Sequence, residues 1–359
     1  MSSQPARLLA LTFSCLLALT IACSSADSAA PPASLVLTVI PTTPGPSRTT
    51  VDPAPSATGG LAASPTSPGP MQPSPQPPQP AATPAPSATP QPSAAQAGAV
   101  QFKPAQIVQG GVAVVYLTEP ATSATARFGG LIYPMLQDGN RWWAVVGVGA
   151  LATPGAAPVT ISYTSPAGSA LTASASVTIV DRDFPVERID LSPQTSALLA
   201  PDIITAELNQ RAAIHGAFTA QRLWTGPFVR PNAAAIGDIY GIGRSYNGAP
   251  VTDYHRGVDF VGQTGSPVVA AAAGRVAFAA ELKVRGGSVY IDHGAGVFTG
   301  YHHFSRIDVA QGQMVTPGQQ IGLVGDTGLV TGPHLHWEVL VRSVEVDGEL
   351  WLKGTEIGP

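Results

Sequence analysis

From Val100 onward, most of the chain consists of short runs of β-branched and aromatic residues separated by glycine, proline and Asp-Gly breaks. The runs include VAVVYL, RWWAVVGV, GSVYIDHG and HLHWEVLV. Residues of these types favour strands, and the breaks between them favour turns. No helical period is sustained after residue 224. The pattern therefore predicts a mainly β protein built from antiparallel sheets.

Two β regions are separated by a segment of different composition. The pattern of strand-like runs predicts a small Ig-like antiparallel β-sandwich over residues 99–182. It predicts a larger antiparallel β domain over residues 224–359. Between them, residues 183–223 contain DIITAELNQRAAIHGAFTAQ, which favours a connecting helix. Trp142 and Trp143 could stack on sugars, but adjacent strand residues face opposite sides. At least one of them is therefore expected in the core, and a structural sandwich is favoured over carbohydrate binding.

A segment poor in aromatic residues precedes the sandwich. Residues 24–98 are mostly Pro, Ala, Ser, Thr and Gln, with very few charges. Such a composition cannot bury enough apolar surface to offset the entropy of ordering, so we predict a disordered linker. An extended polyproline chain of this length could span on the order of 200 Å.

The N-terminus indicates an export signal. Arg7 is followed by an apolar run over residues 8–22, which is short for a membrane span and suits a secretory signal. The run ends at Cys23 and resembles a bacterial lipoprotein signal, with Thr20 where Leu is usual. We predict a signal over residues 1–23 with lipidation of Cys23; ordinary cleavage and an uncleaved anchor are the alternatives. All three place the rest of the chain outside the cytoplasm.

Charge and cysteine content exclude two classes of chemistry. The formal net charge is -4 and 11% of the residues are charged, which argues against nucleic-acid binding. The two cysteines, Cys15 and Cys23, both lie in the signal. The mature domains are therefore expected to have no disulfide, and their chemistry cannot use a thiol.

Histidine is concentrated in the C-terminal domain. Six of the seven histidines lie between His255 and His336, and the seventh is His215. Such a cluster in a β domain without cysteine suggests a metal site of imidazole and carboxylate ligands.

Three segments carry the candidate ligands. In HLHWEV, His334 and His336 alternate and would share one face of a strand, about 6.5 Å apart at the backbone. In YHRGVDF, Gly257 and its β-favouring neighbours disfavour helix, so His255 and Asp259 are placed on a loop that enters a strand. In YHHFS, the two adjacent histidines would face opposite sides, so only one is expected in the site.

Together these segments, in this order, resemble the LytM and lysostaphin-type zinc metallopeptidases. The family's His-x-x-x-Asp signature is matched by His255 and Asp259. Its Tyr-x-His-Leu/Phe-Ser element aligns His303, and its closing Thr-Gly-x-His-x-His signature aligns His334 and His336 in TGPHLH. The resemblance extends over most of residues 224–351.

The resemblance implies a site and a reaction. It makes His255, Asp259 and His336 the ligands of one Zn²⁺ per domain, and His303 and His334 the catalytic pair. Three protein ligands leave a tetrahedral position for water, as in catalytic zinc sites. The division of roles between the two catalytic histidines is open, with His334 favoured as the base.

The remaining polar residues are predicted to be structural. His293 is expected to form hydrogen bonds at a strand end, His302 to face away from the metal, and His215 to lie at the surface or in packing. Glu338 reads as a turn or solvated carboxylate, although it shares the face of His336 and could orient an imidazole. Asp253 and Asp326 are expected to be solvated, and Tyr301 to lie near the cleft or in the core.

The implied function is a zinc endopeptidase that hydrolyses peptide cross-links of bacterial peptidoglycan. Its partners would be peptidoglycan stems and cross-bridges and, through the lipid at Cys23, a membrane. It would act outside the cytoplasm, anchored at the envelope or secreted. The alternatives are a non-catalytic relative that binds the wall or activates another hydrolase, and a zinc peptidase acting on proteins or free peptides.

Overall fold

The computed structural model describes residues 93–94, 98–251, 253–354 and 357–358. The predicted signal over residues 1–23, the lipidation site Cys23 and nearly all of the predicted linker lie outside these ranges. Within the described ranges, no helix combines the length and hydropathy that a membrane span requires.

The first region is a two-sheet sandwich. One sheet has the strand order β1-β10-β9-β5-β6 with β3 also paired to β10, and the other has the order β2-β4-β8-β7. The strands are β1 (Ser93–Ala94), β2 (Val100–Lys103), β3 (Gln106–Val108), β4 (Val112–Leu117), β5 (Ser123–Phe128), β6 (Leu131–Pro134), β7 (Leu136–Asp138), β8 (Arg141–Gly147), β9 (Gly155–Thr164) and β10 (Ala170–Val180).

The alternating pattern of β5 shows how the sequence builds the sandwich. In SATARF, Ala124, Ala126 and Phe128 are buried and the residues between them are exposed, as expected for a strand with one face on a core. Trp143 is buried, and the half-buried Trp142 donates its indole N–H to the carbonyl of Ala121 at 3.1 Å. One tryptophan thus belongs to the core, as the alternation predicted.

The prediction of an all-antiparallel sandwich is wrong for two short strands. β1 and β3 run parallel to β10, whereas β9, β5 and β6 pair antiparallel. Both strands are far from β10 in sequence, so no tight hairpin turn forces them into antiparallel pairing. The Ig-like assignment of the sandwich stays a prediction.

The segment between the two β regions contains more than a helix. Its elements are β11 (Val186–Ile189), α1 (Pro193–Ser196), a 3-10 turn (Ala197–Leu199) and α2 (Pro201–His215). β11 pairs in parallel with β12 (Gly243–Tyr246), which pairs antiparallel with β13 (Asp253–Tyr254). The connector therefore supplies a strand to a three-stranded sheet as well as the expected helix.

The C-terminal region is a nine-stranded sheet in which every pair is antiparallel. Its main path is β14-β21-β18-β17-β16-β19, with β15, β20 and β22 alongside. The elements are β14 (Val258–Phe260), β15 (Pro267–Val269), β16 (Gly274–Leu282), β17 (Gly286–Gly294), β18 (Val297–Ile307), β19 (Met314–Val315), β20 (Gln320–Val324), β21 (Leu335–Val341), β22 (Val344–Val346) and α3 (Gly348–Leu352). β17 and β21 are buried along their whole length, so polar side chains on them need partners within the protein.

The sandwich packs directly against this sheet through buried polar and apolar contacts. The Tyr240 hydroxyl donates to the carbonyl of Glu345 at 2.8 Å and accepts from the N–H of Ala150 at 2.9 Å. Arg182 forms an ion pair with Asp347 at 2.8 Å. One hydrophobic cluster runs through both regions, so the sandwich and the sheet share a core.

Candidate metal and catalytic site

Three neighbouring strands place the candidate residues in one row. β21 lies between β14 and β18. His336 in β21 is opposite Asp259 in β14 on one side and opposite His302 in β18 on the other. Cross-strand partners project from the same face of a sheet, so the three side chains lie together. His255 joins them from the loop between β13 and β14, where its N–H donates to the carbonyl of Ile242 at 2.7 Å.

Three ligand atoms form a compact triangle. His255 Nε2 lies 3.0 Å from Asp259 Oδ1 and 2.9 Å from His336 Nδ1, and the distance from His336 Nδ1 to Asp259 Oδ1 is 2.7 Å. Zn–ligand bonds of about 2.0–2.1 Å in a tetrahedron correspond to ligand separations of roughly 3.3 Å. The three separations are therefore roughly 0.3–0.6 Å shorter than the edges of one face of such a tetrahedron. Two nitrogens and one carboxylate oxygen are also a donor set that zinc accepts.

The second nitrogen of each ligand imidazole has a fixed partner. His255 Nδ1 lies 2.8 Å from the carbonyl oxygen of Ile239, and His336 Nε2 lies 3.1 Å from Glu338 Oε1. When these outer nitrogens carry the protons, the lone pairs lie on His255 Nε2 and His336 Nδ1. Those are the two nitrogens of the triangle. Such outer partners orient metal-binding histidines.

Gly257 allows the ligand loop to approach β21 closely. A Cβ at this position would lie 2.4 Å from the carbonyl oxygen of Trp337 and 2.9 Å from Cε1 of His336. Any side chain would therefore push the loop carrying His255 and Asp259 away from His336. The glycine between the first two ligands is required by this contact.

His303 and His334 form a second pair of imidazoles beside the triangle. Their ring centroids are 4.7 Å apart, and His303 is 6.1 Å from the ring of His336. His303 Nδ1 donates to the carbonyl of Thr327 at 2.7 Å, and His334 Nδ1 donates to the carbonyl of Gly332 at 2.9 Å. With Nδ1 as the donor in both rings, Nε2 is the basic nitrogen of each. His334 Nε2 lies 3.7 Å from Asp259 Oδ2.

A left-handed backbone places two consecutive histidines on one side of β18. His303 has φ of 66°, which breaks the alternation of the strand. The His302 ring lies 5.6 Å from that of His336 because the two residues are opposite each other in the sheet, and the left-handed backbone turns the His303 ring toward the same site. The prediction that His302 faces away is wrong. It lies fully buried, with Nδ1 2.9 Å from the hydroxyl of Ser288.

Burial and neighbouring charges together set the protonation of the site. The pKa of His255 is lowered by burial, which keeps the imidazole neutral. Burial would raise the pKa of Asp259, but the adjacent His255 and His336 outweigh it and hold the pKa well below the ordinary value. Burial and the neighbouring His334 lower the pKa of His303 well below 6.5. Burial would lower the pKa of His336, but Asp259 and Glu338 outweigh burial and raise it. Because a metal ion binds the neutral imidazole, binding at His336 would release that proton.

Glu338 is not a solvated carboxylate, and this prediction is corrected. It is fully buried and lies beside Arg211, Arg285, Tyr290 and His336. Burial would raise its pKa, but the two guanidinium groups outweigh burial and hold the pKa well below 4.5. Its position two residues after His336 on the same face was the signal that it could orient an imidazole.

No local sequence pattern indicated a role for Arg211 or Arg285. Arg211 lies in α2, outside the predicted β domain, and contacts Glu338 across 127 positions of sequence. Arg285 lies in the turn before β17, and its Nε donates to Glu338 Oε1 at 3.0 Å. Neither belongs to a short motif, so only the fold reveals them.

The remaining candidates have structural partners. His293 is fully buried between the carbonyl of Ala273 and the hydroxyl of Thr299, at 2.8 Å from each. Tyr301 is buried in the core, and its hydroxyl accepts from the N–H of Ala271 at 2.8 Å. His215 is buried and its Nδ1 contacts the hydroxyl of Ser343. Asp253 forms an ion pair with Arg256, and Asp326 is exposed.

This geometry coincides with a match to a known protein family. Residues 253–348 match the sequence profile of Peptidase family M23. These residues form an M23 peptidase domain. The M23 domain contains the triangle, both further histidines and Glu338, whereas Arg211 lies outside it.

Proteins similar to this chain include enzymes named for peptidoglycan. The peptidoglycan DD-endopeptidase ShyA of Vibrio cholerae is 45% identical over 93 residues, 26% of this chain and 22% of the relative. The DD-carboxypeptidase/endopeptidase Mpg of Neisseria meningitidis is 42% identical over 93 residues, 26% of this chain and 21% of the relative. The chain thus spans about a fifth of the length of these curated relatives.

A solved structure covers more of the chain. A Pseudomonas aeruginosa protein described as a candidate M23 peptidase is 28% identical, with a TM-score of 0.51. The likeness covers 69% of this chain and 95% of that protein. Since the M23 domain is much shorter than this coverage, the similarity in fold includes residues that precede it.

Proposed function

We propose that this chain is a zinc-dependent endopeptidase that hydrolyses peptide cross-links in bacterial peptidoglycan. The observation that carries the proposal is the triangle of His255 Nε2, Asp259 Oδ1 and His336 Nδ1 with two further imidazoles beside it. The name of the relative from Vibrio cholerae supports peptidoglycan as the substrate class, and the name of the relative from Neisseria meningitidis supports DD-peptidase activity.

In this proposal, His255, Asp259 and His336 hold Zn²⁺. When bound, the ion supplies Lewis acidity, which polarises a carbonyl oxygen and acidifies water. The protein's own contribution is a rigid ligand frame, since both ligand imidazoles are fixed by hydrogen bonds from their second nitrogens.

The environments of the two further histidines favour different roles. His334 has a side chain that is 17% exposed and lies near the Asp259 carboxylate, so it can carry the positive charge left by accepting a proton. His303 is more deeply buried and its pKa is well below 6.5, which disfavours its cationic form. We therefore assign His334 as the general base and His303 as a neutral imidazole that positions the substrate or the attacking water.

The proposed organisation follows the predicted domains. A signal over residues 1–23 would export the chain, lipidation of Cys23 would anchor it at the envelope, and the linker would carry the folded regions to the wall. Sandwich residues 99–182 and connector residues 183–223 would support the catalytic domain of residues 224–359. Mass spectrometry of the N-terminal peptide from cells tests the anchor, and an unmodified Cys23 would exclude it.

Digestion of purified sacculi tests the function. The purified chain is loaded with Zn²⁺, incubated with sacculi and analysed by mass spectrometry of the muropeptides. Conversion of cross-linked dimers to monomers, abolished by a chelator and restored by Zn²⁺, is the expected result. Binding to sacculi without turnover would indicate a wall-binding relative, and cleavage confined to free peptides would indicate a different peptidase.

A further inference from the structure

The buried face of helix α2 is polar. Its buried residues are Glu207, Arg211 and His215, spaced four apart and so aligned on one face. A surface helix ordinarily buries an apolar stripe. α2 is therefore held against the sheet by specific polar bonds, and the partners of those bonds indicate what the helix does.

Arg211 makes the central contacts of this face. Its side chain is 2% exposed, its Nε donates to the hydroxyl of Tyr290 at 2.8 Å, and its Nη2 lies 2.9 Å from Glu338 Oε2 and 3.2 Å from Glu345 Oε1. A buried guanidinium fixed by three acceptors has one available geometry. It therefore holds the carboxylate of Glu338 in a defined orientation.

The two oxygens of Glu338 have different partners. Oε2 accepts a hydrogen bond from Arg211. Oε1 accepts hydrogen bonds from Arg285 and from the Nε2–H of His336, the latter at 3.1 Å. Gly300 makes room for this arrangement, since a Cβ there would lie 3.3 Å from Oε2 and 2.7 Å from the His302 ring. One carboxylate thus links the helix to the imidazole whose other nitrogen belongs to the triangle.

We propose that Arg211 is a positioning residue for the zinc site, acting through Glu338 on His336. The inference rests on the proposed zinc site and adds that α2, outside the M23 domain, is part of what makes the site bind metal. Without Arg211, the charge of Glu338 is balanced by Arg285 alone. Its carboxylate then turns toward Arg285, and the His336 N–H loses a fixed acceptor.

The affinity of the full-length chain for Zn²⁺ tests the proposal. It is measured in wild type and Arg211→Met by competition with a chelator of known affinity. We expect Arg211→Met to weaken binding on the order of tenfold, the lower end of the effect of perturbing a group that orients a metal ligand. Arg211→Lys, which keeps the charge, should recover part of the loss.

Ser343→Ala is the matched control. It removes the 2.8 Å bond between α2 and the turn before β22, formed by His215 Nδ1, but has no contact with Glu338. Equal Zn²⁺ affinity in Ser343→Ala and wild type, beside weaker affinity in Arg211→Met, supports the proposal. Equal losses in the two variants would overturn it, because general loosening of α2 would then explain the result.

A double-mutant cycle with Glu338→Gln tests the route. If Arg211 acts through Glu338, Arg211→Met should have little further effect on Zn²⁺ affinity in the Glu338→Gln background. Additive losses would overturn the proposal. If Arg211→Met does not fold, Arg211→Lys is judged by the same two comparisons. Failure of the wild-type chain to bind Zn²⁺ would instead refute the proposed function.

Discussion

Replacing Gly257 by alanine tests the geometry of the ligand triangle. The new Cβ would lie 2.4 Å from the backbone oxygen of Trp337, whereas contacts below 3.0 Å do not persist. Because Trp337 lies in β21, paired on both sides, the loop carrying His255 and Asp259 must yield by at least ~0.6 Å. Gly257 has no positive φ, so the effect is steric and not a backbone preference.

The displacement predicts two magnitudes. Overpacking of this kind costs about 1–3 kcal/mol of folding stability. A functional site tolerates misplacement of about 0.5 Å, so the shift should weaken Zn²⁺ binding on the order of ten- to a hundredfold. Urea unfolding of the metal-free protein measures the first, and chelator competition measures the second.

Gly332→Ala is the control for this prediction. Gly332 lies on the other side of the same site, where its carbonyl binds His334, and a Cβ there meets nothing within 4 Å. It should keep wild-type stability and Zn²⁺ affinity. If Gly257→Ala binds Zn²⁺ as tightly as wild type does, the close approach of loop and strand does not determine the spacing of the three ligand atoms. The reasoning would then be refuted.

Three further predictions concern the histidines. His336→Ala should lose zinc and activity together, as measured by metal content and muropeptide release; a variant retaining zinc would remove His336 from the ligand set. His334→Ala should retain zinc and lose turnover by roughly 10²–10⁴-fold, the usual contribution of a general base, and full activity would refute its role. Burial lowers the pKa of His293 and of His215 to about 4, so each adds stability that is complete above pH ~6.5 and is lost as the pH falls toward 4. The free energy of unfolding should fall by up to about 3 kcal/mol per histidine over that window, and His293→Asn should show a shallower pH dependence in urea titrations.

The sequence predicted the parts of the site that local spacing encodes. His334 and His336 alternate on one strand, and His255 and Asp259 flank a glycine that excludes helix, so both pairs could be placed from a few residues. The structure brings three of these four into one triangle, as the resemblance implied. The zinc-binding and catalytic roles of these residues remain predictions.

The sequence could not predict the surroundings that depend on long-range packing. The ion pair of Arg211 with Glu338 joins a helix to a strand far away in sequence, and no periodicity marks it. From sequence alone, a helix whose buried face is polar cannot be distinguished from an exposed helix. The parallel pairing of β11 was missed for a similar reason, since pairing partners distant in sequence leave no trace in a short run.

The positive φ of His303 constrains how this residue can be studied. Branched side chains disfavour a left-handed backbone, whereas glycine and asparagine adopt it readily. His303→Val would therefore combine loss of the imidazole with a distorted backbone in β18. His303→Asn removes the ring while preserving the backbone, so it isolates the chemistry of that position from its conformation.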